Sequence, residues 1–343
     1  MKKAFYFVLL LSISFSNFAQ FARIEDLCQV FHLPDGKDTT TFIVYGTKAD
    51  LKVKKPLFFF RQGSRPYPLM DIYQGKYYLL SPFYFNPYKD DYHFVMVQKS
   101  GTLLAADSTY MAGFDKAMQT ADSKYLTKKY LENNNLDKAT YQCNQVLNYL
   151  INQPWVDSKK IVFCGGSEGF TVGANLVANV NKFITHTILF SGHAGRRFES
   201  NIYQVRQAVQ RGELTPEEGQ KEVEKLYEVW KDIQANPKST NKSYGDNYYT
   251  WSSFSKKNAD NLLKINTPLY IAYGTEDNEI ALSLDYLPLD FIEKGKKNLT
   301  LKAYVGHDHQ FNLLKRDSTG KVMDRQYQGD EVAKDWMDWL KGK

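Results

Sequence analysis

Cysteine is scarce, at three in 343 residues, too few for a disulfide scaffold. No CxxC pair, no HExxH and no Cys/His cluster is present, so a dedicated metal site has no motif to stand on. Glycine (21) and proline (11) are at ordinary levels, which excludes collagen-like and low-complexity chains. Charge of one sign is in small excess: 44 Lys and Arg against 38 Asp and Glu give +6. With no dense basic run, that balance offers no electrostatic case for nucleic acid as a partner. Beyond the first twenty residues no apolar run approaches the roughly 20 residues a spanning helix needs, so no stable membrane insertion is expected of the mature chain.

Apolar residues are plentiful at 43%, enough buried surface to offset the entropy of ordering the chain. Residues 1–19 read as a secretory signal peptide: Lys2 and Lys3, an apolar stretch over 4–15, and a cut after Ala19. The mature protein is therefore expected to be exported, either periplasmic or secreted. Cys143 and Cys164 read as small buried hydrophobes. Whether Cys28 pairs with either is open.

Apolar runs alternate with helical patterns along most of the chain, the signature of a mostly parallel sheet covered by helices. Strands are expected at 40–45, 56–60, 93–97, 160–164, 187–190, 268–273 and 299–305. Helices are expected at 137–152, with Asp137 as N-cap, at 170–180 and at 331–340. Residues 104–135 read as loop and short helix. Residues 195–254 change character, with a charged helix over 213–233 and the aromatic set Tyr244, Tyr248, Tyr249 and Trp251. This segment reads as an inserted helical cap. The division is then a core over 20–194, the cap over 195–254, and the rest of the core over 255–343.

The chemistry-bearing signal is Gly165-Gly166-Ser167-Glu168-Gly169, a G-x-S-x-G turn between a strand pattern and a small-residue helix. A serine on such a bend sits at the sheet edge beside the free N–H groups of a helix N-terminus, and small neighbours relieve the clashes of the bend. A nucleophilic serine needs a base, and the base an orienting acid. Both residue types follow strand ends, where active sites of open α/β sheets lie. The 268–273 strand runs into Gly274-Thr275-Glu276-Asp277, and the 299–305 strand into Gly306-His307-Asp308-His309-Gln310-Phe311.

With these three motifs the chain resembles the α/β-hydrolase superfamily, and within it secreted bacterial serine esterases and related serine peptidase catalytic domains, over residues 40–340 apart from the cap. The resemblance implies an α/β-hydrolase fold with a mostly parallel central sheet, Ser167 as nucleophile, Asp277 as acid and His309 as base. Glu276 and Glu279 are alternative acids, and His307 is the rival base. It implies an oxyanion hole of backbone N–H groups from Glu168 and from Gly63 or Ser64, in the loop after the 56–60 strand. No cofactor is implied. The expected activity is cleavage of carboxylic esters through an acyl-enzyme, on a small ester or short peptide. The alternatives are a small capped exopeptidase and a catalytically silent binding protein on the same scaffold. Arg65 reads either as a solvated loop charge or as a contact for an anionic substrate end. His193, Arg196 and Arg197 read as the polar start of the cap, and His32, His93 and His186 as structural.

Overall fold

The computed structural model describes residues 22–120 and 123–343; residues 1–19, expected to be a signal peptide, lie outside them. Eight strands form the main sheet: β1 (Cys28–Asp35), β2 (Asp38–Tyr45), β3 (Lys55–Arg61), β4 (His93–Val97), β5 (Val156–Gly166), β6 (His186–Phe190), β7 (Leu269–Gly274) and β8 (Leu299–Tyr304). Their order across the sheet is β1-β2-β4-β3-β5-β6-β7-β8. The β1–β2 and β2–β4 pairs are antiparallel and the rest are parallel.

The helices that position the site are α1 (Leu136–Leu150), α2 (Glu168–Asn179), α3 (Glu199–Gln210), α4 (Pro216–Ala235), α5 (Tyr248–Phe254), α6 (Asn278–Asp285) and α7 (Gly329–Leu340). Both faces of the sheet are covered, so the middles of its central strands, such as Leu57–Phe60 and Ile161–Cys164, are apolar at consecutive rather than alternate positions. Leu57 and Phe59 of β3, with Ile161 and Phe163 of β5, pack on one face against α1 and α2 through Cys143, Val146, Phe170 and Leu176. Phe58, Phe60, Val162 and Cys164 face the other way, toward Trp336 and Met337 of α7.

Several boundaries differ from the sequence reading. The expected first strand at 40–45 has an antiparallel partner in front of it, β1, closed by a turn at Gly36 (φ 62°). α1 starts one residue early: Asn135 is the N-cap, its side chain accepting from the Lys138 N–H at 2.8 Å. Asp137 instead accepts from the Tyr249 hydroxyl at 2.7 Å. Within 104–135 the chain forms a strand at Ala105–Asp107, which joins a small three-stranded sheet, and the helices Ser108–Gln119 and Lys128–Asn133. A separate antiparallel hairpin, Asn312–Arg316 with Val322–Tyr327, follows β8. The three thiols are free and buried, so Cys28 pairs with neither of the others.

Between β6 and β7 the chain inserts α3, α4 and α5, which share a small apolar cluster of Phe198, Leu226, Ile233, Tyr248 and Trp251. α4 opens with a capping box between Thr215 and Glu218. The polar atoms of this segment's aromatic residues already have partners. Tyr248 donates its hydroxyl to Asp232 at 2.9 Å, and the Trp251 indole N–H donates to the Tyr244 carbonyl at 2.8 Å.

Candidate active site

β5 ends in the glycine pair Gly165-Gly166, and α2 begins at Glu168, so the whole reversal of direction falls on Ser167. Ser167 carries φ 55° and ψ −115°, a region that L-residues avoid because of the Cβ, and its strain persists because the surroundings fix it. Its N–H is held by the Phe190 carbonyl at the end of β6 (3.0 Å). The flanking glycines are required by close approach. A Cβ on Gly165 would lie 2.2 Å from the Gly169 carbonyl oxygen, and one on Gly169 would lie 2.3 Å from the Arg61 carbonyl oxygen.

Asp277 and His309 follow the carboxyl ends of β7 and β8, and their loops are joined. The Glu276 N–H donates to the His307 carbonyl (2.9 Å), and the Gly306 N–H to the Thr275 hydroxyl (2.9 Å). Gly274 sits so close beneath the histidine loop that an added Cβ would be 2.2 Å from the His307 carbonyl oxygen. Asp308 braces the same loop, its carboxylate accepting from the N–H groups of Gln310 (2.9 Å) and Asn312 (3.0 Å) and from Arg325 (2.6 Å). The product of this scaffolding is a 2.5 Å contact between His309 Nδ1 and Asp277 Oδ2. Burial pulls the His309 pKa down, but the charge and hydrogen bond of Asp277 outweigh it, and the net shift is upward.

The other candidates have different partners. His307 Nδ1 contacts the Val305 carbonyl (2.9 Å) and its Nε2 contacts Gln328 Oε1 (2.6 Å), so neither ring nitrogen meets a carboxylate. Glu276 pairs with Arg316, and Glu279 accepts from the Ser200 hydroxyl of α3. Ser167 and His309 are tied to adjacent residues at the end of β6. Phe190 accepts from the Ser167 N–H, and the Ser191 hydroxyl donates to the His309 carbonyl at 2.8 Å. No hydrogen bond joins the Ser167 hydroxyl to His309 among the described residues.

The loop after β3 reaches the same place. A Cβ on Gly63 would lie 3.2 Å from Ser167 Cβ and 3.6 Å from its Oγ, so the Gly63 backbone lies against the serine side chain. The next residue is clamped from below: the Ser64 carbonyl accepts from Lys99 Nζ at 2.9 Å and from the Tyr130 hydroxyl at 3.3 Å. Lys99 also bonds Glu168 Oε1 at 2.9 Å, with the two side chains only 3% and 4% exposed. One ammonium group thus ties the loop after β3 to the first residue of α2. Burial pushes the Lys99 pKa down to about 8, against the pull of Glu168 and with the help of Arg61.

Sequence reasoning missed Lys99, Tyr130 and Ser191. The signal for Lys99 was its position, two residues beyond the carboxyl end of β4, the same rim that carries the other site residues. Of the remaining candidates, Arg65 bonds the Tyr67 hydroxyl (2.8 Å) and lies 3.7 Å from Asp115. Arg196 pairs with Glu199. Arg197 pairs with Asp246 at 2.6 Å and lies over the Trp251 ring at 4.6 Å. His32, His93 and His186 contact the Thr41 hydroxyl, the Val53 carbonyl and the Thr185 hydroxyl, all far from this rim in sequence and strand position. No group of three or more His, Cys, Asp or Glu side chains is placed to hold a metal ion, and no helix is long and apolar enough to cross a membrane, among the described residues.

The strand order, with β2 alone running against the other strands, and the strand–serine–helix bend define the α/β-hydrolase fold. A structure of DcsB in complex with its substrate analogue aligns with a TM-score of 0.51 at 14% identity, over 92% of this chain and 98% of that one. The acylaminoacyl peptidase of Pyrococcus horikoshii gives 0.49 at 15% identity over 82% of this chain. Est1E from Butyrivibrio proteoclasticus gives 0.46 at 13%, over 82% of this chain and 90% of that one. This chain spans only 37% of the length of the P. horikoshii peptidase. No family model and no curated protein matches the sequence.

Proposed function

We propose that the chain is an exported serine hydrolase that cleaves carboxylic esters through a Ser167–His309–Asp277 triad. The observation that carries this reading is the 2.5 Å contact between His309 Nδ1 and Asp277, made at the strand-end rim that also holds the strained Ser167. In the reaction Ser167 Oγ attacks the acyl carbon and His309 Nε2 takes the hydroxyl proton. Asp277 holds Nδ1–H and stabilises the imidazolium that forms. The oxyanion is met by the N–H of Glu168, which as the first residue of α2 has no intrahelical partner, and by an N–H of Gly63 or Ser64. His309 returns its proton to the leaving alcohol. Water, activated by the same imidazole, then releases the acyl group. The Ser167–His309 hydrogen bond that this step needs is of the kind that forms only when substrate is in place.

The insertion between β6 and β7 serves as the cap. Its α3 contacts α6, the helix that follows Asp277, through Ser200 and Glu279, which supports a position beside the triad. That same contact favours a second reading, a small capped exopeptidase, because a cap touching the catalytic loops limits how much chain enters. A panel of p-nitrophenyl esters and aminoacyl-anilides, run on the mature protein and on Ser167→Ala, separates the two. Ester turnover that falls by several orders of magnitude in Ser167→Ala is expected. Equal turnover in the variant removes the proposal, and turnover of anilides alone selects the peptidase.

A further inference from the structure

We propose that the end of the sheet opposite Ser167, Asp277 and His309 is a docking surface for an anionic lipid bilayer. Those three residues follow the carboxyl ends of β5, β7 and β8. The segments that enter the parallel strands gather at the other end, tied side by side by hydrogen bonds. At the start of β3, Lys55 Nζ donates to the Lys89 carbonyl ahead of β4 (2.8 Å), and the Lys55 N–H to the Trp155 carbonyl ahead of β5 (3.0 Å). The Thr185 N–H ahead of β6 donates to the Ile161 carbonyl (2.8 Å), and the Leu269 N–H of β7 to the Asn298 carbonyl ahead of β8 (2.9 Å). β2 runs the other way, so the loop it feeds joins this end, and the Gly46 N–H in it meets the Leu27 carbonyl (2.9 Å). Lys160 Nζ brings in the end of α7 through the Leu340 carbonyl (2.7 Å).

The segments so gathered are 22–27, 46–54, 86–92, 151–160, 180–185, 263–268, 293–298 and 341–343. They carry 14 Lys and Arg against seven Asp and Glu, a net +7. Residues 22–343 as a whole carry 42 against 38, a net +4, so everything outside these segments is net negative, at −3. Asp338, in the last turn of α7, is paired with Lys334 (2.7 Å). Lys52, Lys54, Lys182 and Lys294 are exposed and make no ion pair among the described residues. The lysines are scattered along the text, and the strand order assembles them on one end.

Exposed apolar side chains stand among them. Val53, between Lys52 and Lys54, is 53% exposed; Phe183, next to Lys182, is 48% exposed; and Ile292, two residues before Lys294, is 74% exposed. Their chain neighbours Leu51, Ile184 and Phe291 pack into the core on the α1 and α2 side of the sheet, which holds the three tips outward. Apolar tips flanked by lysine fit the boundary of a bilayer, where the tips enter the acyl region and the ammonium groups meet lipid phosphates. Nucleic acid fits less well, because its sequence-independent binding draws on arginine and stacked aromatic rings. The one arginine of these segments, Arg23, is committed to Asp26 (2.9 Å). Attachment of this kind is peripheral and needs no spanning helix. It leaves the Ser167 rim facing water, and it does not depend on the hydrolytic reading.

The test is co-sedimentation of the mature protein with vesicles of phosphatidylcholine alone or mixed with phosphatidylglycerol. Expected is binding to the mixed vesicles only, weakening steeply with added salt. Lys52→Gln/Lys54→Gln/Lys182→Gln is expected to weaken binding by about 10²-fold, at about fivefold per lysine. Phe183→Ser/Ile292→Ser is expected to weaken it by at least about tenfold. Lys221→Gln/Lys225→Gln/Lys231→Gln removes the same charge from exposed positions of α4 in the insertion and is expected to leave binding within about twofold. Circular dichroism checks that each variant is folded. Protein left in solution by the mixed vesicles at low salt overturns the proposal. Equal loss in the two triple variants also overturns it, since the attraction then follows net charge and not this surface. Duplex DNA bound more tightly than the vesicles, and lost in the same variants, assigns the surface to nucleic acid and overturns the lipid reading.

Discussion

Replacing Lys99 with methionine removes one ammonium group that bonds both the Ser64 carbonyl and the Glu168 carboxylate, each at 2.9 Å. Both ends of the ion pair are almost fully buried, at 3% and 4% exposure. Breaking such a pair from one side strands the other charge, at a cost of about 3–5 kcal/mol. Replacing both ends with apolar groups is far milder, because no buried charge is left. Lys99→Met is therefore expected to lose about 3–5 kcal/mol by urea unfolding, and Lys99→Met/Glu168→Leu to recover most of that loss. Ester hydrolysis reads a second consequence. With Ser64 unclamped, the oxyanion donors shift relative to Ser167, and a displacement of about 1 Å lowers kcat by about 10²-fold while KM moves little.

The pH dependence of stability adds a third readout. The folded pKa of Lys99 is depressed to about 8 from an ordinary 10.5. Across that window the unfolded state therefore binds more protons, and this group's contribution makes stability rise with pH. In Lys99→Met that contribution vanishes. A Lys99→Met protein with unaltered urea midpoint and unaltered kcat would refute the reasoning.

Three further outcomes follow from the same geometry. The His309 pKa is raised by Asp277, and the base must be neutral to act. The acid limb of kcat/KM is thus expected to lie above the ordinary histidine value of about 6.5, and to move down in Asp277→Asn with kcat falling by about 10⁴-fold; a pH–rate series on both proteins checks this. His309→Gln is expected to abolish turnover, whereas His307→Gln, which replaces a ring bonded only to Val305 and Gln328, retains kcat within about tenfold and loses about 1 kcal/mol of stability, measured by parallel kinetics and denaturation. Gly169→Ala places a methyl group 2.3 Å from the Arg61 carbonyl oxygen; it is expected to displace β3 from the bend, lowering Tm by several degrees and kcat by at least tenfold.

The strands most legible in the sequence were those buried on both faces. Phe58, Phe59 and Phe60 alternate between the two core clusters, so the run is apolar throughout and stands out in the text. β1 did not stand out, because it is an edge strand with one half-solvated face and carries Pro34, which an edge tolerates. The hairpin after β8 is polar and largely exposed, and its pairing was invisible for the same reason.

The serine bend was legible because its demands are local: two glycines and a following helix lie within five residues. The Asp277–His309 contact was legible only as residue types at strand ends, since 32 residues separate the partners. Lys99 and Glu168 are 69 residues apart, and a lysine beyond a strand reads as a solvated charge until the fold buries it. Arg61 misleads in the same way, as the first letter of a polar loop rather than a cation enclosed beneath it.

The most direct measurement is mass-spectrometric mapping of the mature protein after reaction with a fluorophosphonate, which phosphonylates a serine only where a base withdraws its proton. A single adduct on Ser167, lost in Ser167→Ala and in His309→Gln but retained in His307→Gln, is the expected result. An unreacted protein, or an adduct on a different serine, would contradict the triad.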